Sequence, residues 1–423
     1  MNGRASVTGL ILSGGGARAA YQVGVLAAIA ELLPVGAPNP FPVIVGTSAG
    51  AINAVSLASG AMNFTQAVEH LTAFWQSFES HRVLRSDWPG VIHQASRFLG
   101  HSLLGLGSHV PVALLNSSPL RDLLNDKINF AGIDQAIAAQ HLRAVALTAF
   151  GYSSGQAVTF YQSEGAIEGW LRHRRIGLPT ALTVEHLLAS SAIPLLFAPV
   201  KIGEEYFGDG AVRQSAPISP ALHLGANRVL VVGVSGNPRG PDRQGGQARQ
   251  YNAQQPTLAQ IGGHMLNSTF IDSLESDIEL LERLNHFSRL LPGQPDNLGL
   301  APVDVLVIAP SQPIDEIAAR HRHELPAALR LFLRGPGATK TSGAGVLSYL
   351  LFEAGYCSEL IELGRKDALA QRAALMGFLD IETLPCSRSL ARLVNCYVIP
   401  KNPINAARWA NASLRPSSIN SLQ

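Results

Sequence analysis

Within its first sixty residues the chain runs twice from an apolar stretch, through glycine, into a helix-forming stretch. The first passage is "VTGLILS" (Val7–Ser13), then Gly14–Gly16, then "AAYQVGVLAAIAELL" (Ala19–Leu33). The second is "PFPVIVGT" (Pro40–Thr47), then Ser48, then "AGAINAVSLASG" (Ala49–Gly60). Each apolar run has the length of a buried strand, and Leu26, Ile29 and Leu33 recur at helical spacing. Strand, helix, strand, helix in this order predicts an α/β fold with a mainly parallel central sheet flanked by helices. In such a sheet both glycine turns emerge at one edge, so the two loops share a site.

The rest of the chain extends this reading. "LRAVALTAF" (Leu142–Phe150), "AVTFYQ" (Ala157–Gln162), "RVLVVGVS" (Arg228–Ser235) and "VDVLVIAPS" (Val303–Ser311) predict further strands. Residues 62–80 predict a helix, and "TVEHLLASSAIPLLFAPV" (Thr183–Val200) a threonine-capped helix that stops near Pro194. "EEYFGDGAV" (Glu204–Val212) has the alternation and Asp-Gly turn of a hairpin end. A Gly-, Gln- and Arg-rich stretch, 236–256, predicts a mobile loop. A long helical pattern over 257–291 follows, with an expected break at Gly262–Gly263. These patterns divide the chain into an α/β unit over 1–311, a mainly helical region over 312–400 and a tail over 401–423. Residues 83–118 are apolar but broken by Gly and Pro. They read equally as a lid or acyl-chain channel, with Phe98, Leu103 and Leu106 as its apolar contacts, and as packing beneath a loop.

Composition narrows the function. Apolar residues make up 47% and charged residues 15% of the 423, which is ample for a buried core. A net charge of +2 and 6% aromatics, with no basic stretch between them, argue against nucleic acid. No apolar run approaches the roughly 18–20 residues that cross a bilayer. The expectation is a soluble, cytoplasmic protein with peripheral membrane contact left open. Cys357, Cys386 and Cys396 are too few and too irregular for a disulfide framework or a zinc site, so neither metal nor cofactor is expected.

Two motifs carry chemistry. "GTSAG" (Gly46–Gly50) fits G-x-S-x-G, and it lies after a strand and before a helix, where that turn exposes a nucleophile. Ser48 then needs a base. His223, His264, His286, His321 and His323 follow it, but none lies in a glycine-rich loop after a strong strand. Asp209 in "FGDGAV" does follow a strand and is flanked by Gly208 and Gly210, although a plain Asp-Gly turn has the same sequence. Gly14, Gly15 and Gly16 face the same edge, where their N–H groups suit an oxyanion. They also fit the dinucleotide pattern G-x-G-x-x-A through Ala19. That alternative, an oxidoreductase, needs an acid ending the second strand. The strand ends instead in Gly46–Thr47–Ser48, and Glu31 lies within the helix.

Four segments in one order resemble the patatin-like phospholipases: "SGGGARAAYQVGVL", "GTSAGAINA", "ASSAIPLLFAPV" and "DGA" (Asp209–Ala211). The resemblance is close over about residues 7–235. It implies a serine acyl hydrolase of phospholipase A or lysophospholipase type with a Ser48–Asp209 dyad, an oxyanion hole from Gly14, Gly15 and Gly16, and a lipid as substrate. A general carboxylesterase is the nearest alternative. Arg18 matches the basic residue of the family's glycine motif; it is a candidate for headgroup contact, with a helix-start salt bridge as the competing role. The family places Gly after that arginine, and here Ala19 adds a methyl group and restricts φ. Oligomeric state is not legible in the sequence.

Overall fold

A computed structural model describes residues 6–79, 118–165, 167–194, 196–214, 216–235, 257–269, 273–290, 302–327, 330–331, 344–383 and 398–400. The expected mobile loop at 236–256, the tail, Cys386 and Cys396 lie outside these residues. So does the apolar segment 83–117 with Phe98, Leu103 and Leu106.

Five parallel strands form the heart of the sheet: β1 (Thr8–Leu12), β2 (Val43–Thr47), β3 (Ala144–Gly151), β9 (Arg228–Val232) and β10 (Asp304–Ile308). Their order is β10-β9-β1-β2-β3. Beyond β3 the sheet turns partly antiparallel through β4 (Ala157–Ser163), β6 (Arg175–Pro179) and the short β5 (Trp170–Arg172). β7 (Val200–Ile202) and β8 (Glu205–Asp209) form a hairpin that joins β3. The expected mainly parallel sheet is present.

Alternation along the strands produces three layers. Leu10, Leu12, Ile44, Val145, Leu147, Leu230 and Val232 face one core, which is covered by α1 (Ala20–Leu32), α2 (Ala49–Ser59) and α3 (Phe64–Gln76). Ile11, Val43, Val45, Ala144, Ala146, Val229 and Val231 face the other. Strands buried on both sides read as continuous apolar runs, which is why β1, β2 and β9 were legible. The helices α4 (Ser118–Lys127), α5 (Ala131–Ala138), α6 (Val184–Ser190) and α7 (Ser219–His223) complete this part of the chain.

Two local expectations change. Asp209-Gly210 is not a hairpin turn: the turn joining β7 to β8 lies at Gly203, whose φ of 59° suits glycine, and Asp209 instead caps a 3-10 turn over Gly210–Val212. Gly262 and Gly263 do not break a helix. They lie inside α8 (Leu258–Asn267), where a β-carbon on Gly263 would make ordinary van der Waals contact with α11 (Ala344–Leu350). The next described helix is α9 (Ser273–Leu290).

Past β10 the chain continues through α10 (Ile314–His321), α11, α12 (Ala354–Ala370) and α13 (Arg372–Phe378). α12 lies directly on α1. Gly24 and Gly364 face the opposing backbones, and the Tyr21 hydroxyl donates to Asp367 Oδ2 at 3.0 Å. Cys357 is buried in this region, and burial pushes its thiol pKa up, as expected of a packing side chain.

Candidate active site

Strand register brings Ser48 and Asp209 together. β2 ends at Thr47, paired with Thr148 of β3. There the chain turns away, leaving the rest of that edge of β3 free, because β4 occupies the other edge. β8 fills the vacated edge, and its Asp209 pairs with Ala149. One residue past β2 and one step further along β3 are therefore neighbours.

The turn at Ser48 is strained. Its φ is 56° and ψ −130°, a region that costs a non-glycine residue about 1–3 kcal/mol. The strain directs the side chain back over the sheet edge, and Ser48 Oγ donates to Asp209 Oδ2 at 2.6 Å. The other carboxylate oxygen, Oδ1, accepts from the Ala211 N–H at 3.0 Å. Asp209 is fully buried. Burial raises its pKa to about 7 from an ordinary 3.8, against the opposing pull of the bonds from Ser48 and Ala211. A carboxyl tuned to this range exchanges a proton near neutral pH. No histidine among the described residues bonds to either side chain.

Residues that sequence reasoning left without a role hold this pair. The Ser48 N–H donates to Ser190 Oγ at 2.9 Å, and that hydroxyl donates to the Thr148 carbonyl at 2.7 Å. The Asp209 N–H donates to the Ala192 carbonyl at 2.8 Å. The segment "ASSAIP" therefore secures the backbones of both residues. A second buried chain links the glycine loop to the elbow helix. The Trp75 indole donates to Asn53 Oδ1 at 2.7 Å, Asn53 Nδ2 donates to Gln22 Oε1 at 2.9 Å, and Gln22 Nε2 donates to the Ser13 carbonyl at 2.8 Å. Isolated Gln22 and Asn53 in apolar helices were the only sequence signal for it. Buried polar groups of this kind need partners.

The glycine loop follows β1 at the same sheet edge. Gly14 lines a pocket with Ser13 and Thr47, and Gly16 lines a pocket with Ser48. Gly16 has φ 55°, and a β-carbon there would collide with the Tyr349 carbonyl. Ala19, the departure from the family motif, is fully buried at φ −65° in the helical region, so its methyl is accommodated without strain.

Arg18 points away from solvent. It is 3% exposed; Nη2 donates to Asp315 Oδ1, Nε donates to Ser348 Oγ at 2.8 Å, and the guanidinium lies 4.1 Å from the Tyr349 ring centre. A headgroup would have to displace a carboxylate already in place. The geometry matches the salt-bridge role rather than headgroup contact, with Asp315 of α10 as the partner. Arg18→Met is expected to cost roughly 1–3 kcal/mol, because buried Ser348 Oγ loses the Nε donor, while the half-exposed Asp315 keeps a bond from Ser348 Oγ and meets water. Arg18→Lys should recover little of it, since one ammonium cannot serve two acceptors and a ring in the same fork geometry. Urea unfolding of the two variants checks this.

Beside Ser48 opens an apolar pocket walled by Ile52, Trp75, Phe78, Tyr349 and Phe352. Its free volume is about 30 Å³. That is room for about one or two water-sized bodies. No group of three or more metal-ligating side chains occurs among the described residues. No helix among them is long and apolar enough to cross a membrane.

Comparison with known proteins follows the same lines. No curated protein sequence matches the chain. Among solved structures, VipD from Legionella pneumophila shares 12% identity over 84% of this chain and 67% of its own, with a TM-score of 0.30. The complex of full-length SpcU with full-length ExoU, from the type III secretion system of Pseudomonas aeruginosa, gives 18% identity, 81% and 70% coverage and a TM-score of 0.25. Likeness this distant fixes neither site nor substrate. The family match is nearer: residues 10–222 fit the family described as Patatin-like phospholipase. That span is half of the chain and holds the glycine loop, the elbow and Asp209. The chain belongs to the patatin-like phospholipase family and is an ester hydrolase that acts on lipid acyl groups.

Proposed function

We propose that the chain is a serine hydrolase of phospholipase A or lysophospholipase type, working through a Ser48–Asp209 dyad and an acyl-enzyme. The observation that carries this reading is the 2.6 Å bond from Ser48 Oγ to a buried carboxylate whose pKa lies near 7. Asp209 Oδ2 takes the Ser48 proton as Oγ attacks the ester carbonyl. The oxyanion that forms is held by N–H groups of Gly14, Gly15 and Gly16, each such donor contributing roughly 3–4 kcal/mol in a dry site. Collapse breaks the bond to the alcohol, which leaves with the proton from Asp209. Water then gives a proton to Asp209 and attacks the acyl-serine. The fatty acid departs, and Ser48 recovers its proton. No step requires a metal or cofactor.

Apolar lining beside Ser48 supports a fatty-acyl group over a small polar one, which favours lipid esters over general carboxylesterase action. A lipid substrate also implies peripheral contact with a membrane or micelle. The helical region 312–400 takes part in this reading: Tyr349 and Phe352 supply one wall of the pocket, and Asp315 anchors Arg18 behind the glycine loop.

Release of fatty acid from phosphatidylcholine and lysophosphatidylcholine, set beside hydrolysis of a soluble acetate ester, tests the assignment. The expected result is a clear preference for the lipids and their loss in Ser48→Ala. Equal turnover of acetate ester and lipid would favour the carboxylesterase alternative.

A further inference from the structure

Thr47, Thr148 and Thr159 stand side by side across β2, β3 and β4, because the register pairs Thr47 with Thr148 and Thr148 with Thr159. By alternation they fall on the face that carries Val43, Val45, Ala144, Ala146 and Tyr161. The preceding positions of β2 and β3 on that face are apolar. Three hydroxyls buried beyond them need partners.

Gln214 organises this row. It follows Asp209 just past the 3-10 turn and is buried. Its Oε1 accepts from Thr47 Oγ1 at 2.5 Å, and its Nε2 donates to Thr148 Oγ1 at 3.3 Å. Thr148 and Thr159 share a hydrogen bond of 3.1 Å between their hydroxyls. The two segments of the dyad are thereby joined a second time, behind the reacting atoms. Thr47 immediately precedes Ser48, and Gln214 lies on the chain that leaves Asp209. Ser190 belongs to α6, whose Leu187, Leu188 and Ala189 pack into the core on the other face. Thr148 is therefore held twice, its carbonyl by Ser190 and its hydroxyl by Gln214. Ser48 has a strained backbone, and strain of this kind persists only where the surroundings fix it. Thr47 and Gln214 line a small hollow shared with Ser13 and Gly14, and neither lines the pocket beside Ser48.

We propose that Gln214 is a positioning residue for acyl transfer: by tying Thr47 to Thr148 it fixes the Ser48 turn against Asp209 and sets the distance over which the proton passes. The proposal rests on the dyad reading. Its test compares three substitutions in the full chain. Gln214→Met keeps a side chain of similar length and removes both hydrogen bonds. Thr47→Val removes one hydroxyl at nearly constant shape, so it carries the test if Gln214→Met does not fold. Thr47→Ser keeps that hydroxyl and drops the methyl. Thermal unfolding verifies folding, and kcat, KM and the pH–rate profile are measured on lysophosphatidylcholine.

In Gln214→Met and Thr47→Val, kcat is expected to fall about 10–10²-fold, as a misplacement on the ångström scale does, with KM little changed. The bond from Ser48 lowers the Asp209 pKa, so its loosening should move the midpoint of the rate upward from about 7. Thr47→Ser should keep most of kcat and the original midpoint. Because the two groups form one link, adding Thr47→Val to Gln214→Met should slow the enzyme little further. A folded Gln214→Met or Thr47→Val with unaltered kcat, or with lowered kcat and an unmoved midpoint, would overturn the proposal. So would a Thr47→Ser variant as slow as Thr47→Val. Full activity in Asp209→Asn would overturn the dyad and this proposal with it. An inactive Asp209→Asn beside an unaltered Gln214→Met would overturn the positioning role alone.

Discussion

Asp209→Asn is expected to lower kcat on lipid esters by about 10²–10⁴-fold while leaving the chain folded. The amide fills nearly the same volume and its oxygen still accepts from Ala211, but it cannot take the Ser48 proton. In the unaltered protein the rate should rise with pH through about 7, as the buried carboxyl loses its proton and becomes a base. Stability should move the other way. The folded state holds the Asp209 proton more tightly than the unfolded state, whose aspartate has a pKa near 3.9. Between that value and about 7 the unfolded chain binds fewer protons, so folding stability falls as pH rises through this window. Above it, Asp209→Asn removes a buried charge and should raise the unfolding midpoint while activity is lost. A pH–rate profile and thermal melts at pH 5 and pH 8 read both effects. A carboxylate held only for structural reasons would give lost stability at pH 8 and a flat profile.

Gly24→Ala should destabilise the fold by about 3 kcal/mol or more, although intrinsic helix propensity alone predicts a gain of about 1 kcal/mol. The difference in sign comes from the crossing of α1 and α12. A β-carbon on Gly24 would overlap the Ile361 carbonyl, and one on Gly364 would overlap that of Tyr21. Backbone atoms cannot rotate aside as a side chain can, so the helices must separate. Separation also strains the Tyr21–Asp367 bond and opens the cluster containing Leu26, Leu360 and Ile361. Gly364→Ala should behave in the same way. Urea unfolding distinguishes the two signs directly. A gain in stability for either variant would mean that the helices cross less closely than described.

This contact illustrates what the sequence conveys and what it withholds. The strands β1, β2 and β9 are legible because two-sided burial writes them as unbroken apolar runs. Ser48 is legible because its turn demands small neighbours in a fixed order. Asp209 is less so: "GDG" spells an ordinary turn as readily as a sheet-end carboxylate, and only the register of β8 on β3 separates them. The glycines at 262 and 263 look like a break but lie within a continuous helix. Gly24 sits in a helix pattern as a minor flaw, and its reason lies more than three hundred residues away in the chain. Arg18 is read correctly as basic and near the loop, yet its partner, Asp315, arrives from α10. Local sequence records local geometry, and long-range partners enter only through topology. The same holds for Ser190, Asn53 and Gln22, whose roles depend on which backbone groups the fold brings within reach.

The central claim is that Ser48 carries the acyl group with Asp209 as its base. Treatment with a fluorophosphonate followed by peptide mass mapping tests it most directly. The account predicts one adduct on Ser48, slower labelling in Asp209→Asn, and no labelling in Ser48→Ala together with loss of lipid hydrolysis. An adduct on another residue, or lipid hydrolysis undiminished in Ser48→Ala, would contradict it.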